Sequence, residues 1–266
     1  MKLCHEMIPD AKIGPAPNIS LAYPRTCRPE DVIASQNLNA IRNWLYLDAA
    51  VYGVYNPVVL SYLKEQDAFF DIEPGDMEIL REGKPDFIGF NYYNTATCEN
   101  ASEGIKDDEK KDQQKGWAEE GVYAFTANPY LPKTQFGWEI DPVGFRATFR
   151  EIYSRYHLPM IVTENGLGAC DTLEEDGSVH DPYRIDYLKK HIEQMKEAIT
   201  DGCEVMGYCP WSAIDLISTH EGIKKRYGFV YVDRDDFELK TMKRYRKDSF
   251  YWYKKVIKTN GENLDL

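Results

Sequence analysis

The sequence lacks the features that mark membrane, disulfide-rich and multidomain proteins. It contains no uncharged apolar run of about 18 residues, so no membrane-spanning helix is predicted. Its six cysteines form no CxxC pair and have no regular spacing, which argues against stabilising disulfide bonds and a structural zinc site. Internal repeats and linkers rich in Pro, Gly or Ser are also absent. We therefore expect a single domain over residues 1–266 that holds no metal.

Positive charge is scarce, since 32 Lys and Arg stand against 44 Asp and Glu for a net charge of −12. A surface this acidic repels phosphate backbones and anionic lipids, so we expect neither nucleic acid nor membrane as a partner. Solubility is a sufficient explanation for the acidity. The thiol pattern and the lack of an apolar leader segment after Met1 predict a cytoplasmic protein.

The pattern of secondary structure is typical of a parallel α/β protein, because short β-rich runs alternate with longer amphipathic stretches. Strands are predicted over 12–19, 86–93, 160–163 and 205–215. Helices are predicted over 29–47 and 241–258, and after Asp141 and Asp181. The charged residues 98–121 are predicted to form a long surface loop. The chain has the length of a complete (β/α)₈ barrel, ~250 residues, but only half of its strands.

The first candidate for chemistry is Glu164, which ends the apolar run Met160-Ile161-Val162-Thr163. Catalytic groups of parallel α/β proteins emerge at the carboxyl ends of buried strands, and a carboxylate there suits a nucleophile or general base. The alternative is an acid that caps a helix or forms a turn with Asn165-Gly166. The strand alone leaves this alternative open.

Aromatic and amide side chains end two other predicted strands. Asn91 and Tyr93 are expected on one face and Tyr92 on the other, because successive strand residues alternate. An amide and a phenol on one face could orient a carboxylate or a sugar hydroxyl. The alternative is that both tyrosines are half-buried packing residues whose hydroxyls contact water. Trp211 suits the apolar face of a sugar ring, with core packing as its alternative.

A cationic segment follows the fourth strand. Lys224-Lys225-Arg226 stands between hydroxyls, Ser218 before it and Tyr227 after it. Lysine offers a point charge to phosphate and the hydroxyls donate hydrogen bonds, so the segment is a candidate anion site. The alternative is a solvated basic face.

Several motifs occur together and in order: Asn91-Tyr92-Tyr93, Gly137-Trp138, Thr163-Glu164-Asn165-Gly166, Trp211-Ser212 and the segment 225–233. In combination they resemble glycoside hydrolase family 1 over essentially the whole chain. Within that family the likeness is greatest to the 6-phospho-β-glucosidases. The resemblance implies an α/β fold of the (β/α)₈ barrel family and a glycosidase that needs no cofactor.

The resemblance also implies roles for five residues. Glu164 matches the nucleophile of a retaining mechanism, in which a second carboxyl about 5–5.5 Å away acts as acid and then base. Tyr93 matches the tyrosine that hydrogen-bonds the nucleophile, and Asn91 an asparagine that lines the sugar site. Trp211 matches the indole beneath the sugar ring, and Trp138 a wall of the leaving-group site.

The implied substrate is a 6-phosphorylated β-glucoside, because Ser218, Lys225 and Tyr227 match the phosphate-binding triad of the phospho-glycosidases. Ordinary family members have Glu at the position of Ser218, followed by Trp. A glutamate would repel a phosphate, whereas a serine leaves room and donates a hydrogen bond. Thr219 in place of Trp favours phosphoglucosides over phosphogalactosides.

One family motif is missing from these residues. The family's acid/base Glu lies in an Asn-Glu-Pro motif after the fourth barrel strand, and no Asn-Glu-Pro occurs in this sequence. Residues 1–10 resemble the end of the helix that follows that strand. The resemblance therefore implies a half barrel, units five to eight, with negligible activity on unactivated substrates. The alternative is a non-catalytic product that binds sugar phosphate, complements a separate N-terminal half chain or forms a homo-oligomer through open sheet edges.

Overall fold

Eight α-helices and nine β-strands occur in residues 1–101 and 118–265, the part of the chain described by a computed structural model. The helices are α1 (Lys2–Met7), α2 (Pro29–Asn39), α3 (Leu45–Tyr52), α4 (Pro57–Glu65), α5 (Asp76–Glu82), α6 (Pro142–Tyr156), α7 (Pro182–Thr200) and α8 (Asp248–Lys258). The strands are β1 (Ala22–Pro24), β2 (Ile88–Tyr92), β3 (Ala96–Glu99), β4 (Ala118–Glu119), β5 (Tyr123–Thr126), β6 (Met160–Asn165), β7 (Val205–Tyr208), β8 (Val230–Val232) and β9 (Arg244–Arg246). No helix of the described part combines the length and apolar character needed to cross a membrane.

Four parallel segments lie side by side in chain order: residues 12–19, β2, β6 and β7. The carbonyl oxygens of Pro15 and Pro17 accept hydrogen bonds from the backbone N–H groups of Gly89, at 2.8 Å, and Asn91, at 3.0 Å. Because neither proline has an N–H to donate, segment 12–19 forms only part of a ladder and is not a regular strand. The expected four parallel units are present.

The sheet formed by these segments is open. Among residues 1–101 and 118–265, no further parallel strand pairs with segment 12–19 or with β7. The architecture is therefore a partial (β/α)₈ barrel, as the sequence predicts.

Helix α6 supplies much of the core that supports β2 and β6. Its first residue is Pro142, and the side chain of Asp141 caps it by accepting a 2.7 Å hydrogen bond from the N–H of Gly144. Its apolar face buries Phe145 and Phe149 completely. The ring of Phe149 meets that of Phe90 on β2 edge to face, with 5.1 Å between centroids. A second apolar cluster joins α7 to α8 through Leu188, Ile192, Trp252 and Val256.

Three predicted elements differ most from the structure in extent. The predicted helix 29–47 is α2 and α3 joined by a π-helical turn at Ala40–Trp44, and it continues to Tyr52. The predicted strand 205–215 ends at Tyr208. The predicted helix 241–258 begins only at Asp248, because β9 pairs with β8 and keeps the preceding residues extended. Helices α4 and α5 were not predicted.

The prediction of a charged surface loop over 98–121 is wrong at both described ends. Cys98 on β3 is fully buried and pairs with Phe125 on β5. Strand β4 pairs with the other end of β5, which completes a sheet in the order β1-β3-β5-β4. Residues 102–117 lie outside the described part of the chain. The high charge of the segment concealed the two short strands at its ends.

Candidate active site

Glu164 lies half-buried near the carboxyl end of β6, directly after a bulge at Thr163 in that strand. The register shifts by one residue after Phe90, so that Asn91 pairs with Glu164 and not with Thr163. The Tyr93 hydroxyl donates a 2.5 Å hydrogen bond to Oε2 of Glu164. Burial and this hydrogen bond raise the pKa of Tyr93, so the phenol stays protonated and acts as a donor. Bulges of this kind re-aim side chains beside functional sites.

The residue after Glu164 anchors the strand end beneath it. Asn165 is fully buried, its Nδ2 donates to the backbone oxygen of Tyr92 at 2.9 Å, and its Oδ1 accepts from the Tyr208 hydroxyl at 2.7 Å. A Cβ at Gly166 would collide with the carbonyl oxygen of Trp211, so glycine is required there. Since the next helix begins only at Pro182, Glu164 does not cap a helix.

The predicted alternation along β2 is present. Tyr92 is fully buried, and its hydroxyl donates to the backbone oxygen of Asp141 at 2.6 Å. Asn91 and Tyr93 are both half-buried on the opposite face. The Oδ1 of Asn91 accepts a 2.6 Å hydrogen bond from Oγ1 of Thr163 on the neighbouring strand. The amide is therefore held in place on the residue of β2 that pairs with Glu164.

An aromatic group surrounds a buried lysine next to this pair. The Tyr93 ring meets the ring of Trp138 edge to face at 5.5 Å and that of Tyr227 at 6.4 Å, between centroids. The Lys225 ammonium lies 3.7 Å from the centroid of Trp138 and 4.9 Å from that of Phe136. Burial raises the pKa of Tyr227, which keeps its hydroxyl protonated.

The alternative of a solvated basic face is wrong for two of the three cations. Lys225 is only 1% exposed and Arg226 5%, whereas the Lys224 side chain is 58% exposed. A buried ammonium or guanidinium is costly without partners, so both positions are built for specific contacts.

Trp211 is connected to this group through backbone contacts, whereas Ser218 lies in a turn that precedes Lys225. The N–H of Trp211 donates to the Asn165 carbonyl at 2.8 Å, and the peptide bond between Trp211 and Ser212 is cis. The N–H of Ser212 donates to the Tyr227 carbonyl at 3.1 Å. Ser218 pairs with Gly222 by two backbone hydrogen bonds, of 3.0 and 3.2 Å, at the base of the turn that leads to Lys225.

The geometry thus brings Glu164, Tyr93, Trp138, Lys225 and Tyr227 into one continuous cluster, with Asn91 and Trp211 at its margins. The sequence profile of glycosyl hydrolase family 1 matches residues 1–262 of the chain. The chain belongs to glycosyl hydrolase family 1.

Similar members of family 1 include phosphoglycosidases. The chain is 47% identical over 265 residues to aryl-phospho-beta-D-glucosidase BglC of Bacillus subtilis, covering 97% of this chain and 55% of that relative. It is 42% identical to the phospho-cellobiase of Klebsiella oxytoca, covering 99% and 54%. A solved structure of the Thermotoga maritima beta-glucosidase with glucoimidazole superimposes with a TM-score of 0.82 at 35% identity, covering 98% and 54%. The chain therefore spans about half the length of the family 1 proteins it matches.

Behind the cluster lies a buried network of charges that the sequence analysis missed. It consists of three carboxylates and three cations: Asp171, Asp181, Asp215, Arg184, Arg226 and Lys247. Lys247 bridges Asp171 and Asp215, with 2.8 Å between its Nζ and Oδ1 of Asp215. A signal was present in Asp215, an acid that ends the apolar run Ala213-Ile214, but its partners are distant in sequence.

The pKa values of this network reflect two opposing effects, the cost of burying each charge and the interaction with neighbouring charges. Burial acts to raise the pKa of Asp171, but Arg184 and Lys247 outweigh it and lower that pKa below its usual range. Burial and the neighbouring Arg184 lower the pKa of Lys247.

In the described part of the chain, no group of three or more His, Cys, Asp or Glu is placed to hold a metal ion.

Proposed function

We propose that the chain supplies the nucleophile and the phosphate-binding side of a retaining hydrolase for 6-phospho-β-glucosides. The observation that carries the proposal is the cluster in which Tyr93 hydrogen-bonds Glu164 while Lys225 and Tyr227 lie beside the same aromatic group. The names of the relatives, an aryl-phospho-beta-D-glucosidase and a phospho-cellobiase, support the same substrate class.

In the proposed reaction, a carboxylate oxygen of Glu164 attacks the anomeric carbon and forms a glycosyl ester. The bond from that carbon to the aglycone oxygen breaks, and its electron pair leaves with the aglycone. Tyr93 orients the carboxylate through Oε2. Trp211 lies beneath the sugar ring, Asn91 lines the sugar site and Trp138 lies beside the aglycone. The 6-phosphate meets the Lys225 ammonium and the hydroxyls of Ser218 and Tyr227.

The proton donor is the part of the proposed mechanism that these residues do not supply. An unactivated aglycone must be protonated as it leaves, and this requires a second carboxyl about 5–5.5 Å from the nucleophile. The family's Asn-Glu-Pro motif does not occur in these 266 residues. We therefore expect these residues alone to be glycosylated at Glu164 only by substrates with good leaving groups, and full turnover only where a second carboxyl is supplied from outside them.

Trapping of the glycosyl ester tests this proposal directly. The chain would be incubated with a 2-deoxy-2-fluoro-6-phospho-β-glucoside that carries dinitrophenolate, a leaving group that departs without protonation. We expect release of dinitrophenolate and one covalent adduct, located by mass spectrometry on the peptide that contains Glu164. Glucose 6-phosphate should slow the labelling by competition, and Glu164→Gln should abolish it. Labelling that persists in Glu164→Gln would contradict the assignment.

The second candidate function is a non-catalytic chain that binds sugar phosphate or associates with another polypeptide. It is favoured by the two open sheet edges, segment 12–19 and β7, which have no outer partner strand among the described residues. On this hypothesis the chain should bind glucose 6-phosphate without forming the adduct. Sedimentation should then show a homo-oligomer or a complex with an N-terminal half chain.

A further inference from the structure

The segment that carries Lys225 presents its side chains alternately to two environments. The backbone of Arg226 pairs with Ala169 through two 2.9 Å hydrogen bonds, which gives the segment the geometry of a short strand. Arg226 faces the charge network, where it donates to Asp215 at 2.9 Å. Lys225 and Tyr227 face the opposite side, toward Tyr93 and Trp138. The position of this segment on Ala169 therefore sets where the Lys225 ammonium lies.

Gly168, the residue before Ala169, lies directly against the aliphatic stem of Lys225 and the phenol ring of Tyr227. A Cβ built on Gly168 would come within 2.7 Å of Cγ and 2.8 Å of Cε of Lys225, and within 2.9 Å of Cζ of Tyr227. Distances this short require the neighbours to move. Lys225 has little room to do so, because it is 1% exposed and its ammonium already rests 3.7 Å from the Trp138 ring centroid.

Gly168 is not required by its backbone conformation, since its φ does not lie in the left-handed region. The absence of a side chain there consequently has a packing purpose. It leaves the space in which the aliphatic stem of Lys225 lies, while the faces of Phe136 and Trp138 support the charged end.

We propose that Gly168 and Trp138 are positioning residues that seat the Lys225 ammonium and thereby make this site selective for sugars that carry an anionic group. The inference rests on the proposed function, because it assumes that Lys225 meets the phosphate. A lysine contributes a point charge to such contacts, and the attraction depends steeply on where that charge lies. Displacement of the ammonium should weaken binding of a sugar phosphate and leave binding of the neutral sugar unchanged.

The test compares equilibrium binding of glucose 6-phosphate and of glucose to the full chain by titration calorimetry. We expect the wild type to prefer glucose 6-phosphate and Gly168→Ala to lose that preference by roughly ten- to a hundredfold. The matched control is Gly207→Ala on β7, where the added Cβ would make only ordinary contact, 3.5 Å from Cδ1 of Ile161. A general loss of packing would lower binding of both ligands, whereas a misplaced cation lowers only one.

A double-mutant comparison separates displacement of Lys225 from other effects. In a Lys225→Ala background the stem is gone, so adding Gly168→Ala should change binding several-fold less than it does in the wild type. If Gly168→Ala alone fails to fold, its rescue by Lys225→Ala would itself demonstrate the clash. Trp138→Leu should lose the preference without any clash, and Trp138→Phe should retain part of it.

The outcomes distinguish the two proposals. A wild-type chain without any preference for glucose 6-phosphate would overturn the proposed phosphate site. A wild-type preference that survives both Gly168→Ala and Trp138→Leu would overturn the present inference and leave the proposed function standing.

Discussion

Lys225 and Lys247 are both buried lysines of the same part of the molecule, yet their surroundings differ in kind. Lys247 is fully buried between two carboxylates, Asp171 and Asp215, in a network with three charges of each sign. Lys225 rests on the ring faces of Trp138 and Phe136. Only Arg226 separates the two environments, since it follows Lys225 in the chain and contacts Asp215.

The difference indicates which side of segment 225–227 serves structure and which suits a ligand. An anion that approached Lys247 would also meet two carboxylates and be repelled. A ring face holds a cation through its quadrupole and carries no full negative charge, so the rings around Lys225 do not themselves repel an anion. Charge-balanced burial therefore fastens the loops after β6 and β7, and in the proposed function the aromatic burial of Lys225 supports a cation that binds phosphate.

The largest expected effect on stability comes from a substitution in the buried charge network. Lys247→Met leaves Asp171 and Asp215 buried without their shared cation, so we expect a loss of about 3–5 kcal/mol in the free energy of unfolding. Urea denaturation at pH 7 measures it. The control is Lys190→Met, which breaks an exposed pair with Asp186 on α7 and should cost only about 0.3 kcal/mol. Equal costs for the two variants would show that the network does not fasten the loops.

The second effect concerns the protonation of another buried base, His191, whose ring lies against Tyr187 and whose Nδ1 is 2.7 Å from the Tyr187 carbonyl oxygen. His191 is fully buried against the Tyr187 ring, 3.9 Å between centroids, and burial lowers its pKa from 6.5 to about 4. The unfolded chain then takes up this proton first as pH falls, so the contribution of His191 is complete above pH 6.5 and is lost toward pH 4. Relative to His191→Phe, the wild type should lose roughly 3 kcal/mol across that interval.

Urea denaturation of both proteins at several pH values measures this difference, because the other titrating groups cancel between them. A stability difference that did not change with pH would mean that His191 has the same pKa in the folded and the unfolded chain. The Tyr187 ring and carbonyl oxygen would then offset the cost of burying the imidazolium.

The smallest expected effect on stability is on the aromatic side. Lys225→Met removes a contact between a cation and ring faces but keeps an apolar stem, so we expect a cost of about 1 kcal/mol by urea denaturation. Binding of glucose 6-phosphate, measured by calorimetry, should fall while binding of glucose does not. If Lys225→Met lowered the free energy of unfolding as much as Lys247→Met does, the aromatic surroundings of Lys225 and the charge network around Lys247 would not differ in their contribution to stability.

Much of the candidate cluster could be predicted, because its signals are local. An apolar strand that ends in an acid located Glu164, strand alternation separated Tyr92 from Tyr93, and Asp141-Pro142 marked the start of α6. The charge network could not be predicted, because Asp171, Asp215 and Lys247 are distant in sequence and charged residues are normally exposed. The predicted helix over 241–258 failed for a related reason, since β9 forms only through its pairing with β8.

The sequence by itself determined the parallel α/β class, the four strand units and the residues that resemble the family, because periodicity and short motifs are properties of neighbouring residues. The tertiary structure alone decided which of the cations at 224–226 are buried, and what each one contacts. Burial depends on which loops meet after β6 and β7. No pattern within one segment carries that information, so Gly168 became significant only when Lys225 was seen to lie against it.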